Sequence, residues 1–221
     1  MYDSADGQLA RMTGQKSEIG RILDGVSGDF WFISIYAAIC LRLTPEWSYW
    51  IWILAAVTGL CHSKQAAMAD YYRNIHLFFL KGKSGSELDN YVQQKAIYNS
   101  LSWKKDFIRK LFLWFYCDYT RSQERLTPAF QRFFALLQQR YGAVAPQEIR
   151  DEFRRESLPL MKYTNILSFN TRVTVLFISL LINEPWLYFV FELTVLNGLL
   201  IYMIWQHERL SNKLYKEIQM S

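Results

Sequence analysis

The sequence predicts an all-α protein, a polytopic bundle of membrane-spanning helices with a helical segment inserted between two pairs of spans. Hydrophobic residues make up 51% of the 221 residues, and aromatic residues make up 17%. The mean hydropathy is −0.04, but apolar and basic residues lie in different parts of the chain. Residues 62–162 contain 17 of the 25 Lys and Arg residues, and long apolar runs lie on both sides of this segment. This arrangement favours a membrane protein over a soluble helical domain.

Four apolar runs are long enough to cross a bilayer, which takes roughly 20 mostly apolar residues. The last two runs are separated only by Asn183-Glu184-Pro185, a connection that suits an antiparallel hairpin. Trp and Tyr cluster near the ends of the runs, as they do at bilayer interfaces. The alternative, a large soluble core, is disfavoured because little polar surface is left to cover runs that are apolar around most of their circumference. The four predicted spans cover residues 25–43, 47–69, 164–183 and 185–205.

Positive residues predict the orientation, because Lys and Arg are retained on the cytoplasmic side of a membrane. The outer loops contain only Arg42, so the N-terminal segment, residues 62–162 and the tail 206–221 are expected to face the cytoplasm. The pI near 9.0 then reflects a basic face that attracts anionic membrane lipids. No nucleic-acid-binding module is recognisable, so we expect no nucleic acid partner. We predict an integral protein of a bacterial inner (cytoplasmic) membrane.

Residues 81–162 have no membrane character, and their helix-boundary residues predict an all-helical cytoplasmic insert. Thr127-Pro128 opens one helix that Gly142 closes, and Pro146 opens another. The chain is therefore predicted to divide into an active-site segment with two spans, the insert, and a membrane hairpin with a cytoplasmic tail, which cover residues 1–80, 81–162 and 163–221.

One part of the insert is unusually apolar. Residues 107–119 read FIRKLFLWFYCDY and are bordered by basic residues at positions 104, 105, 109 and 110. Such a helix either lies in the bilayer interface, where it delivers lipid substrate, or packs against its neighbours in a small bundle. The sequence leaves both interpretations open.

The first 29 residues contain the most informative pattern. Residues 3–11 read DSADGQLAR and, after eight further residues, residues 20–24 read GRILD. This pattern resembles the signature of the CDP-alcohol phosphatidyltransferases, D-x2-D-G-x2-A-R followed by G-x3-D-x3-D. Every fixed position matches through Asp24. Only the last position differs, because Gly28 stands where the family has its fourth aspartate and Asp29 follows it.

The resemblance implies an enzyme that transfers a phosphatidyl group from a CDP-lipid to an alcohol acceptor, releases CMP and acts as a homodimer. It also implies two divalent cations, Mg²⁺ or Mn²⁺, for which carboxylate oxygens are natural ligands. The implied metal ligands are Asp3, Asp6, Asp24 and Asp29. The residues implied to bind the CDP moiety are Gly7, Ala10, Arg11 and Gly20.

Asp29 is also the catalytic candidate, because the fourth aspartate of the family helps to activate the acceptor hydroxyl. In a regular helix, however, a step of five residues rotates Asp29 by about 140° from Asp24. Asp29 therefore reaches the same site only if a π-bulge widens the helix or if its pairing partners differ.

Two charged residues lie inside the last two predicted spans, where charge is retained mainly if it is paired or lines a cavity. Arg172 lies in the cytoplasmic half of its span, from which it can reach a substrate phosphate beside the metals. Alternatively, Arg172 pairs with Glu192 across the short hairpin. Both roles stay open at this point.

Members of the family have six spans, whereas about four are predicted here, so we expect an N-terminally shortened member. The alternative is a non-catalytic membrane paralogue that binds CDP-lipid or scaffolds a partner. The alcohol acceptor cannot be identified, because the signature does not include the residues that contact it.

Overall fold

The structure is a computed structural model that describes residues 18–82, 88–142 and 144–220, and all its regular elements in these ranges are helical. The predicted all-helical class is therefore confirmed. A 3-10 turn at Leu158–Leu160 and a π-helical turn at Glu192–Leu196 join neighbouring helices. The α-helices are α1 (Glu18–Trp47), α2 (Trp50–Lys81), α3 (Tyr91–Ser100), α4 (Phe107–Leu126), α5 (Pro128–Tyr141), α6 (Gln147–Ser157), α7 (Met161–Ile166), α8 (Phe169–Leu181), α9 (Trp186–Phe191) and α10 (Asn197–Met220).

Two helical stretches in the described part of the chain are long and apolar enough to cross a membrane. They are Gln147–Leu181 and Trp186–Met220, each 35 residues long, and they include the last two predicted spans except for the residues at the turn. The turn between them includes Asn183 with a positive φ of 64°, a conformation that Asn adopts more readily than most residues. The predicted tight hairpin is confirmed.

At the first two predicted spans, helix α1 has 30 residues and α2 has 32. Polar residues such as His62, Lys64 and Gln65 keep α2 below the apolarity of the hairpin stretches, whereas the side chains of residues 18–27 and 29 of α1 are not described. The outer surfaces of α1 and α2 are nevertheless apolar, with exposed side chains that include Phe30, Trp31, Ile33, Leu41, Ile53 and Leu60. These two spans stay predictions, supported by the apolar surface.

Two hydrophobic cores follow one another along α2. The first joins α1, the beginning of α2 and the hairpin, through residues that include Phe32, Ile39, Ile51, Leu176 and Phe189. The second joins the end of α2 to the insert and α10, through residues that include Ile75, Phe79, Phe133, Phe153 and Leu214. A helix of this length extends about 48 Å, which exceeds the roughly 30 Å hydrocarbon layer. We expect the second core to lie outside the bilayer.

The insert helices follow the predicted boundaries. Helix α5 has Pro128 in its first turn and ends at Gly142, whose φ is 71°, and α6 follows Pro146. Asn90 caps α3, because its side chain accepts a hydrogen bond from the N–H of Val92. The division of the chain at residues 80 and 162 stays a prediction.

His76 connects α2 to the end of α6, where its Nδ1 lies 2.7 Å from Ser157 Oγ. Burial, and then the charge of Arg154, hold the pKa of His76 below its ordinary value. The unfolded chain therefore binds a proton at His76 near pH 6.5, while the folded chain does so only at lower pH. The free energy of unfolding must fall as the pH decreases through this interval.

We expect the thermal unfolding temperature of the protein in detergent to fall between pH 7 and pH 5. The decrease should be smaller in His76→Gln, because that variant lacks the titrating group. An equal decrease in both proteins would contradict the role of His76.

Candidate functional site

The first half of the signature, with Asp3, Asp6, Gly7, Ala10 and Arg11, lies outside the described residues. The second half lies on α1, where the backbone positions of Gly20, Asp24 and Asp29 are described but their side chains are not.

Helix α1 is a regular α-helix through the two aspartate positions and contains no π-bulge. The backbone positions of Asp24 and Asp29 are therefore rotated by about 140° about the helix axis. Because there is no π-bulge, Asp29 can act in the same site as Asp24 only if its pairing partners differ from those in the family. A Cβ atom at Gly28 meets nothing within 4 Å, so the described residues leave open space for a Cβ at the usual position of the fourth aspartate.

Among the described side chains, no group of three His, Cys, Asp or Glu residues can hold a metal ion. The aspartates implied as ligands are not among those side chains. The metal site at Asp3, Asp6, Asp24 and Asp29 therefore stays a prediction.

A buried polar cluster lies where α1 and α2 meet the hairpin. Its centre is the ion pair between Arg172 and Glu192, in which Arg172 Nη1 lies 2.5 Å from Glu192 Oε1. The two side chains are 1% and 0% exposed, so the pair is withdrawn from solvent and from the outer surface of the helices. The buried polar cluster comprises Tyr36, His62, Gln65, Arg172, Tyr188 and Glu192, all of them buried.

The guanidinium of Arg172 has an acceptor for each of its nitrogens. Besides Glu192, Nη1 donates to His62 Nδ1 at 2.8 Å, and Nη2 donates to Gln65 Oε1 at 2.7 Å. Nε donates to the carbonyl of Leu167 at 3.3 Å. The structure therefore contains the ion pair that was one of the two alternatives for Arg172. The role in binding a substrate phosphate stays a prediction, and it requires the guanidinium to exchange these partners.

Glu192 receives hydrogen bonds from the preceding helical turn and from α1. Tyr188 Oη donates to its carboxylate at 2.6 Å, and Tyr36 Oη donates to the other carboxylate oxygen. Glu192 also opens the π-helical turn, and its carbonyl accepts a hydrogen bond from Gln65 Nε2 at 3.0 Å. Gln65 Nε2 also lies 2.7 Å from Asn197 Oδ1, at the end of the same turn. The cluster thus joins a widened turn of one helix to α1 and α2.

The sequence analysis identified Arg172 and Glu192 but not the other four members of the cluster, which are Tyr36, His62, Gln65 and Tyr188. One available signal was the spacing of His62 and Gln65, which are three residues apart and so lie on one face of a helix within an apolar run. Polar residues on the same face of a membrane helix indicate a buried polar contact.

We expect Arg172→Met to reduce the free energy of unfolding by about 3–5 kcal/mol, because it leaves the Glu192 carboxylate buried without its cation. The double variant Arg172→Met/Glu192→Leu should regain most of this loss, since it removes both charges. Urea unfolding in detergent measures the effect, and Arg125→Met, at an exposed position of α4, is the matched control. A single variant as stable as the wild type would show that the ion pair does not hold the hairpin.

The described residues thus define a helical protein with an apolar hairpin and an internal ion pair. Comparison with known families identifies a match to the CDP-alcohol phosphatidyltransferase family over residues 1–79. The matched range contains the whole signature, α1 and nearly all of α2, and it confirms the resemblance seen in the motif. Neither the curated proteins nor the solved structures gave a match. The family is a kind of membrane-associated enzyme, which suggests CDP-alcohol phosphotransferase activity.

Proposed function

We propose that this protein is an integral membrane transferase that moves a phosphatidyl group from a CDP-lipid to an alcohol acceptor and releases CMP. One observation carries the proposal: the family match over residues 1–79 includes seven fixed positions of the signature at the correct spacing. The apolar hairpin and the exposed apolar surface of α1 and α2 support a membrane setting.

The signature provides three carboxylates and Asp29 follows its fourth position, and this donor set suits Mg²⁺ or Mn²⁺. When bound, two such cations neutralise negative charge on the phosphates of the substrate. The residues that would hold them are Asp3, Asp6, Asp24 and Asp29. The residues that would contact the CDP moiety are Gly7, Ala10, Arg11 and Gly20.

In the proposed reaction the acceptor oxygen forms a new bond to phosphorus while the bond from phosphorus to the CMP oxygen breaks. The proton of the acceptor hydroxyl passes to a carboxylate, for which Asp29 is the candidate. We further propose a homodimer in a bacterial inner membrane with the active site facing the cytoplasm. The basic residues of the insert and the tail support this orientation.

Release of CMP from CDP-diacylglycerol by the purified protein in mixed micelles tests the proposal. Glycerol phosphate, inositol phosphate, serine and an amino alcohol are supplied in separate reactions, since the acceptor is unknown. We expect CMP release with one acceptor in the presence of Mg²⁺ or Mn²⁺, and none after chelation. Absence of CMP with every acceptor would reject the transferase.

A second candidate function is binding of a CDP-lipid without turnover. One observation favours it. Gly28 stands in a regular helix at the position of the fourth aspartate, so no carboxylate occupies that position. A binder should change its intrinsic tryptophan fluorescence on addition of CDP-diacylglycerol and release no CMP. The same titration followed by a CMP assay distinguishes the two functions.

A further inference from the structure

Helix α4 has one face buried against the described part of the chain and a second, apolar face that the described part leaves exposed. The covered face contains Leu113, Cys117 and Thr120, which are buried against the rest of the fold. The other face contains Phe107, Ile108, Trp114 and Phe115, which are 57%, 67%, 51% and 53% exposed. Phe107 and Trp114, like Ile108 and Phe115, are seven residues apart, so the four side chains form one strip along two turns. We call it the aromatic strip.

Hydrogen bonds hold α4 beside α2 at the end of the second predicted span. Gln123 Nε2 donates to the carbonyl of Ala67 at 2.8 Å, and Tyr119 Oη donates to Asp70 Oδ2 at 3.1 Å. The predicted span 47–69 ends between these two positions of α2. Helix α4 also packs against α1. The end of α4 therefore lies where α2 is predicted to leave the bilayer, and the aromatic strip lies on the preceding turns of the same helix.

The charges near the strip are mainly positive. Lys104 and Lys105 are exposed in the turn before α4, and Arg109 is exposed in its first turn. The nearby Asp106 is half-buried, and its carboxylate lies 3.3 Å from the N–H of Ser102. An apolar strip beside three exposed cations is complementary to a bilayer interface, where apolar chains lie beneath anionic headgroups.

We propose that α4 lies in the interface of a bilayer that contains anionic phospholipids, with the aromatic strip inserted and Lys104, Lys105 and Arg109 against the headgroup phosphates. A second copy of the chain is the alternative occupant of this surface, and the experiment below distinguishes it from the bilayer. The proposal concerns only the membrane setting of the insert and does not depend on transferase activity.

Fluorescence quenching in liposomes tests the position of the strip. The full chain, with Cys40, Cys61 and Cys117 replaced by alanine, carries a single bimane label at Ile108→Cys or at Gln139→Cys. The control position is Gln139, which is exposed near the end of α5. Helix α5 packs on the C-terminal end of α2, where Phe133 contacts Phe79. The liposomes contain phosphatidylcholine with phosphatidylglycerol, and the quenchers are iodide in water and doxyl groups on lipid chains.

We expect the doxyl lipid to quench the label at position 108 severalfold more than the label at 139, and iodide to show the reverse order. Replacing Lys104, Lys105 and Arg109 by glutamine should reduce doxyl quenching at 108 when phosphatidylglycerol is present. The matched control replaces three exposed cations of α10, Arg209, Lys213 and Lys216, and should leave the quenching unchanged.

Two results would overturn the proposal. Equal iodide quenching at positions 108 and 139 would show that the aromatic strip faces water. Protection of position 108 from both quenchers, increasing with the protein-to-lipid ratio, would show that a second copy covers the strip. Both results are read without CDP-lipid, so they are independent of the outcome of the CMP assay.

Discussion

Asp24→Asn is expected to abolish metal-dependent release of CMP from CDP-diacylglycerol. The carboxylate at this position is proposed to hold a divalent cation, and a cation contributes several kcal/mol of charge stabilisation in the transition state. Because about 1.4 kcal/mol corresponds to tenfold in rate, we expect a decrease of about 1000-fold or more. Asp6→Asn should behave alike, since loss of either ligand leaves phosphate charge uncompensated.

The control is Asp118→Asn, which removes an exposed carboxylate of α4 outside the signature and should retain wild-type turnover. Binding of Mn²⁺, followed by electron paramagnetic resonance, provides a readout that does not require catalysis. It should weaken in Asp24→Asn and stay unchanged in Asp118→Asn. Unchanged turnover and unchanged Mn²⁺ binding in Asp24→Asn would remove this residue from the metal site.

Asp29→Asn is expected to slow the chemical step by about 100-fold to 10,000-fold while CDP-lipid binding changes little. A general base acts mainly in the transition state, whereas the nucleotide is proposed to be held by Gly7, Ala10 and Arg11. Single-turnover CMP release measures the chemical step, and a CDP-lipid titration measures binding.

Gly28→Asp in the Asp29→Asn background tests whether one carboxylate near this turn is sufficient. A Cβ atom at Gly28 has open space around it, so the substitution should not disturb packing. Rescue of turnover would show that either position can supply the carboxylate. Full activity of Asp29→Asn alone would show that the base lies elsewhere in the chain or in the substrate.

Most of the helical architecture follows from local features of the sequence. Pro128 and Gly142 bound α5, because proline is favoured at the first positions of a helix and glycine at its end. The short Asn183–Pro185 connection predicted a hairpin, and the structure has two apolar stretches joined at this turn. Each feature lies within a few residues of the element that it bounds, so one sequence is sufficient to read it.

The apolarity of a span is less easily judged from sequence. Both hairpin stretches are long and apolar enough to cross a membrane, whereas α2 has a lower mean hydropathy. Helix α2 begins with tryptophans, contains charged residues and continues past the predicted span into the second core. One end of α2 is a predicted membrane span and the other end packs in the second core. The average hydropathy of the helix therefore combines an apolar segment with a more polar one.

The sequence by itself determined the helical class, the hairpin, the ends of helices such as α5 and the signature that leads to the family, because these depend on spacing along the chain. Only the tertiary structure decided the partners of Arg172. Gln65 and Glu192 are 127 residues apart, and Gln65 and Arg172 are 107 apart, so no local pattern pairs them. Burial imposes the pairing, because a charge withdrawn from water is stable only where the folded chain brings opposite charge and hydrogen-bond partners to it.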